Sequence, residues 1–191
     1  LGSVFALDET TGNPLWLYQV PSNDETGTSI LSDPAIAGGV LYTTSGPTLY
    51  AVDAETGEAL WDISADSPDE TLGTPVVADG IVYVGGLHAI YATETKTGDG
   101  VWTTGVESAE PSKLAVVDGV VYAAGGSEGD PTQGEPTQPG FVLTLDAKTG
   151  NGIWTQNLKG FATTPVIAGD VVYVGAGTTQ DDGSVAGGVL G

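Results

Sequence analysis

The side chains able to do chemistry are narrow in kind: 25 aspartates and glutamates, four lysines, one histidine, and neither cysteine nor arginine. Without thiols there is no disulfide framework, no thiolate ligand and no cysteine nucleophile, and the redox compartment stays open. One imidazole and no thiolate exclude zinc. A Ser-His-Asp relay would have to use His88. That residue lies in a turn before a strand and reads as an exposed turn histidine. The pairs Asp24-Glu25, Asp69-Glu70 and Asp181-Asp182 carry the oxygen ligands calcium takes. None has the alternating loop spacing closed by a Glu, so all three read as acidic solvated loops, and Asp182-Gly183 as a hairpin turn. No metal, cofactor or catalytic residue is expected.

The remaining acids are periodic. Asp8, Asp53, Glu94 and Asp146 each stand four residues before a glycine: Gly12, Gly57, Gly98 and Gly150. A threonine precedes each glycine, and Trp16, Trp61, Trp102 and Trp154 follow four residues after it. In such a turn the Asp and Thr oxygens bond backbone amides while the Gly takes a dihedral closed to other residues. This is structural chemistry.

The elements that must position these turns repeat with them. The tryptophans are 45, 41 and 52 residues apart, the period of a propeller blade. Each repeat resolves into four short strands. Thr74–Ala78 and Ile81–Gly85 flank Asp79-Gly80, a type I′ hairpin signal that recurs at Gly38-Gly39, Asp118-Gly119 and Gly169-Asp170. A third strand follows (Leu49–Val52, Ile90–Thr93), and a fourth carries the Trp, as in Ala59–Ile63. Pro34, Pro75 and Pro165 lie eight residues before Tyr42, Tyr83 and Tyr173, while the copy with Tyr122 has Leu114 instead. Proline at a strand start removes no ladder donor. The runs Ile81–Val84 and Val171–Val174 read as strands buried on both faces. Two segments break the rhythm: the Asn23–Ser29 link, and the Pro/Gly-rich insertion Gly125–Gly140, which reads as an exposed mobile loop.

A net charge of −21 opposes nucleic acid and anionic membrane surfaces. No apolar run approaches the roughly 18 residues a membrane span needs, so direct membrane insertion is not expected. An acid-rich surface with four lysines (Lys96, Lys113, Lys148, Lys159) fits a salt-adapted organism, because high salt screens self-repulsion. The chain opens at Leu1 with no targeting segment and reads as a mature form or an excerpt.

The pattern Ala-x-Asp-x-x-Thr-Gly-x-x-x-Trp, present at Ala6–Trp16, Ala51–Trp61, Ala92–Trp102 and Thr144–Trp154 with Glu94 and Thr144 departing, resembles the tryptophan-docking motif of pyrroloquinoline-quinone-like (PQQ-like) β-propeller repeats. Such repeats occur in quinoprotein alcohol dehydrogenases and in the propeller lipoprotein of the bacterial outer-membrane assembly machinery. The resemblance spans nearly the whole chain and implies an all-β fold of radial four-stranded antiparallel blades. It makes the four tryptophans blade-to-blade staples, with the four glycines allowing close approach. Truncating Trp61, in the middle of the array, is expected to cost more than truncating Trp16, in an end blade, if the Trp16 ring is open.

The chain is then one propeller region, 1–191, with repeats at about 1–46, 47–86, 87–140 and 141–191. Cut as blades, it gives three complete blades and two half-blades, an arc of a ring of about eight blades. The alternative is a closed four-bladed ring in which Val4–Leu7 pairs with Val171–Val174. The function expected is a non-catalytic scaffold at the cell surface of a halophile, binding a protein partner or the remaining blades. The alternative is part of a quinone-dependent dehydrogenase whose catalytic residues lie elsewhere; that chemistry calls for a calcium site, a catalytic Asp and often a vicinal Cys pair.

Overall fold

Turn chemistry and alternation lay this chain out as strands alone. The structure, a computed structural model, describes residues 2–21, 31–67, 69–106, 113–127, 138–179 and 185–190. The Asn23–Ser29 link, Asp181-Asp182 and most of the 125–140 insertion lie outside the described residues.

A first sheet pairs β1 (Ser3–Leu7) with β2 (Pro14–Gln19). Three four-stranded antiparallel sheets follow, each laid down in chain order. The second sheet holds β3 (Ala35–Ala37), β4 (Val40–Ser45), β5 (Thr48–Asp53) and β6 (Ala59–Ser64). The third holds β7 (Val76–Ala78), β8 (Ile81–Gly85), β9 (Ala89–Glu94) and β10 (Gly100–Gly105). The fourth holds β11 (Lys113–Val117), β12 (Val120–Ser127), β13 (Gln138–Asp146) and β14 (Gly152–Leu158). In the fifth, β15 (Phe161–Ala162) and β16 (Val166–Ala168) pair with successive stretches of β17 (Val171–Thr179), and β18 (Val185–Leu190) pairs with Val174–Thr179.

The hairpin turns have the dihedrals their residues signal. Asp79 and Asp118 take φ of 49° and 50° and are followed by Gly80 and Gly119 at 80° and 76°, the two positive angles of a type I′ turn. At Gly169-Asp170 only the glycine is positive, at 58°, the type II′ pattern. Proline leaves its mark on the first strand of a sheet. Leu31 bridges to Ser45 and Leu72 to Gly86, and the ladder resumes after Pro34 and Pro75, at Ala35 and Val76. Leu114 restores the missing donor, and there β11 runs unbroken from Lys113.

The first strands β3, β7, β11 and β16 lie against one another in succession, so the sheets converge on them and fan outward toward the tryptophan strands. Apolar side chains fill the wedges between sheets. Tyr42, Leu49, Val82 and Val84 pack between the second and third sheets, and Tyr83, Ile90, Leu114 and Val121 between the third and fourth. Ala124, Val142, Leu158 and Val174 fill the next wedge. Strand β8 is buried on both faces as expected. Val171–Val174 is not: Val171 is 40% and Tyr173 42% exposed, since among the described residues no further sheet covers that face.

Ala186-Gly187-Gly188 lie inside β18, because a ladder needs only backbone groups. One further expectation is corrected. The insertion is not a loop from end to end. Both β12 and β13 run into it, with a register shift between Gly125 and Ser127. Finally, β1 pairs with β2 and has no ladder to β17 among the described residues. They form an open arc and not a closed four-bladed ring.

Candidate functional site

The recurring acids close the tryptophan turns. Asp8 Oδ1 accepts from Thr10 N, Thr11 N and Thr11 Oγ1 at 3.1, 2.7 and 2.8 Å. Asp53 does the same with Glu55 and Thr56, and Asp146 with Lys148 and Thr149. These donors favour the charged carboxylate. The Thr11 hydroxyl first, then its amide, lowers the pKa of Asp8; the Thr56 amide leads at Asp53 and the Thr149 hydroxyl at Asp146. Glu94, one methylene longer, holds Thr97 Oγ1 at 3.3 Å.

After each turn the ladder slips by one residue. Leu15, Leu60, Val101 and Ile153 are the unpaired residues of these β-bulges, and all four are exposed. Sequence reasoning missed them. The signal was present, for an aliphatic residue precedes every Trp.

The first three bulges aim their tryptophans at the next sheet. A Cβ built on Gly57 would lie 2.7 Å from Trp16 Cδ2, one on Gly98 3.0 Å from Trp61 Cε3, and one on Gly150 2.7 Å from Trp102 Cδ2. These rings therefore sit where only glycine leaves room. The indole Nε1 of Trp16 donates to the Ala54 carbonyl at 3.1 Å, that of Trp61 to Thr95 at 3.2 Å, and that of Trp102 to Ala147 at 2.9 Å. The Thr95 carbonyl also accepts from Tyr42 Oη at 3.0 Å, and Ala147 from Tyr83 Oη at 3.1 Å, so one carbonyl takes both donors. The two ends of the series differ from each other. Trp16 is docked, and the open ring is Trp154, 43% exposed. Gly12 has the same positive φ, 71°, but nothing within 4 Å of its Cβ position, because no described residue precedes its sheet to offer a ring.

Asp69-Glu70 does not form a solvated acidic loop. Glu70 has a fully buried side chain, since the link from the second to the third sheet folds back under the turn before β9. Its Oε1 accepts from Leu87 N at 2.6 Å and Thr71 N at 3.2 Å, and its Oε2 from Tyr91 Oη at 2.9 Å. His88 N lies 3.3 Å from both oxygens. The imidazole of His88 is 59% exposed, with Nδ1 3.6 Å from Glu70 Oε2. Gly86 makes the pocket possible, for a Cβ there would meet Oε1 at 2.6 Å. Burial first, then the hydrogen bond to Glu70 and its charge, pushes the Tyr91 hydroxyl up to about 12. No group of three or more Asp, Glu or His side chains among the described residues could hold a metal. A cavity of about 240 Å³ opens beside Tyr91, between the second and third sheets.

Converging antiparallel sheets, of which the second, third and fourth each receive the tryptophan of the sheet before, define an arc of a β-propeller. A sequence-family model described as outer membrane protein assembly factor BamB matches residues 1–133 and, overlapping, 89–187. The chain belongs to this family of PQQ-like propeller repeats. Among solved structures it is similar to BamB from Moraxella catarrhalis, at 21% identity and a TM-score of 0.68 over 99% of this chain and 58% of that one. It is similar also to the computationally designed Ika8 protein, at 17% identity and a TM-score of 0.71 over 97% of this chain and 52% of that one. The quinohemoprotein alcohol dehydrogenase ADHIIG from Pseudomonas putida HK5 aligns at 17% identity and a TM-score of 0.63 over 98% of this chain and 35% of that one. At these identities the likeness is one of fold. The chain spans a little over half the length of the BamB structure. No curated protein matches it.

Proposed function

We propose that this chain is a non-catalytic propeller scaffold that holds a protein partner at the surface of a salt-adapted cell. The observation that carries the reading is the use of the recurring residues. Asp8, Asp53 and Asp146 lock turns, and Trp16, Trp61 and Trp102 are seated on the glycines of the next sheet. The repeat thus builds a rigid frame, and its family match is to an assembly factor. Fold alone does not fix function, so the support comes from that use of residues and from the family. The exposed bulge residues Leu15, Leu60, Val101 and Ile153 give the frame a repeated apolar contact surface.

The test has two arms. Cross-linking on intact cells is expected to join the chain to one protein in fixed proportion, and replacing Leu60 and Val101 by serine to remove that product while leaving the unfolding midpoint in place. Incubation with pyrroloquinoline quinone and calcium is expected to leave no bound chromophore. Stoichiometric quinone binding would sink the scaffold reading and favour a dehydrogenase propeller.

A further inference from the structure

Where the repeats depart from one another, the departures gather in one place. The residue two positions after Trp16 is Tyr18, and its ring lies 6.4 Å from that of Tyr50 across the first wedge. The equivalent residue after Trp61 is Ile63, which faces Tyr91 in the second wedge. An isoleucine in place of a tyrosine leaves the ring's space open, and the cavity of about 240 Å³ lies there. In the third wedge the equivalent Thr104 closes across the gap, donating to the Gly150 carbonyl at 2.7 Å. Buried Glu70, Gly86 beneath it and the chain's single histidine all adjoin this same second wedge.

We propose that the wedge between the second and third sheets binds a small organic ammonium ion with a short apolar or aromatic body. Leu49, Ile63, Leu72 and Val84 give the cavity an apolar floor, Tyr91 forms a wall, and the Asp66 carboxylate stands at the rim. No lysine lines it. Glu70 anchors the Tyr91 hydroxyl, which fixes the ring and sets a buried negative charge behind it. A tyrosine ring lining the cavity together with a carboxylate attracts a cation, and the apolar floor takes its apolar end. An anion would meet the Asp66 carboxylate, with no described lysine along the cavity to offset it. Such a site does not depend on the scaffold role.

The probes are benzylammonium, benzyl alcohol and benzoate, titrated by calorimetry in about 1 M salt, where the Debye length of about 3 Å removes diffuse attraction to the acidic surface. Benzylammonium is expected to saturate one site, benzyl alcohol to bind about tenfold more weakly, and benzoate not to bind. Asp66→Asn should weaken benzylammonium about tenfold, whereas Asp170→Asn, in the hairpin turn of the fifth sheet, should not. Ile63→Tyr, which copies the filled first wedge, should abolish binding with the unfolding midpoint retained. If Ile63→Tyr fails to fold, the exposed Asp66 comparison decides alone. Equal affinity for the alcohol, equal effects of the two Asn variants, or binding in a folded Ile63→Tyr variant would each overturn the proposal.

Discussion

Glu70 is a buried carboxylate whose charge is met by amides and a hydroxyl and not by a lysine. Removing it leaves Leu87 N and Tyr91 Oη facing a void. Glu70→Ala is therefore expected to cost about 3 kcal/mol, and Glu70→Gln, which keeps an acceptor, about half as much. Denaturant midpoints of the two variants check this, and an alanine variant as stable as the parent would contradict it. The turn carboxylates act on stability through pH. Asp8, Asp53 and Asp146 have depressed folded pKa values, so their contribution is fully present above the unfolded carboxylate range near pH 4 and is lost as pH falls through the lower folded values. Acidification also relieves repulsion among the other acids, an effect of opposite sign shared by parent and variant. Subtracting the stability profile of Asp53→Ala from that of the parent between about pH 6 and 2 should isolate a loss on the acid side of pH 4. A constant difference would show that the Asp53 hydrogen bonds do not favour its charged form.

The strands and turns were legible because they recur. Asp79-Gly80 and Asp118-Gly119 announced their dihedrals, Leu114 announced an unbroken strand, and four tryptophans in register announced the sheets. What recurs hides what does not. Glu70 looked like half of an acidic pair because nothing local marks a carboxylate that will fold under another turn. The bulge residues were passed over because an aliphatic in a strand is expected to face a core. At this scale Gly57 and Gly12 form a controlled comparison. Both have positive φ, 76° and 71°, but only Gly57 lies under a ring. Gly12→Ala should cost about 1–2 kcal/mol for the dihedral alone. Gly57→Ala should cost distinctly more, since Trp16 must leave its seat. Equal losses would mean that the ring contact adds nothing. Likewise Trp61→Ala should cost about 3–5 kcal/mol and the half-open Trp154→Ala much less. Urea unfolding of the four variants supplies both comparisons.

At the scale of the molecule the charge is one-sided, with 25 Asp and Glu against four lysines and no arginine. Among the described residues the only basic side chain within 4 Å of a carboxylate is His88 beside Glu70, an ion pair only when the imidazole is protonated, and Lys113 Nζ donates to the Ala162 carbonyl at 3.2 Å and not to an acid. A net charge of −21 is therefore left to solvent and salt. Raising salt from about 0.1 M to 1 M shortens the Debye length from about 10 Å to 3 Å, which screens repulsion between exposed carboxylates farther apart than that. The unfolding midpoint is expected to climb steeply over this range and flatten beyond it. Sulfate also strengthens apolar burial by exclusion from the surface, so chloride and sulfate must be compared at equal ionic strength. Matching curves identify screening; a rise in sulfate alone identifies burial and removes the case for salt adaptation. A charge-reduced variant separates the two further. Glu9, Glu55, Glu58 and Asp99 are exposed acids in the tryptophan turns, none of them the turn-locking carboxylate. Replacing them with glutamine and asparagine should raise the low-salt midpoint and shrink the salt gain, because the repulsion that salt would have screened is already gone. An unchanged salt gain in that variant would show that these charges lie too far apart to repel, and that the acidic surface does not set the stability of the arc.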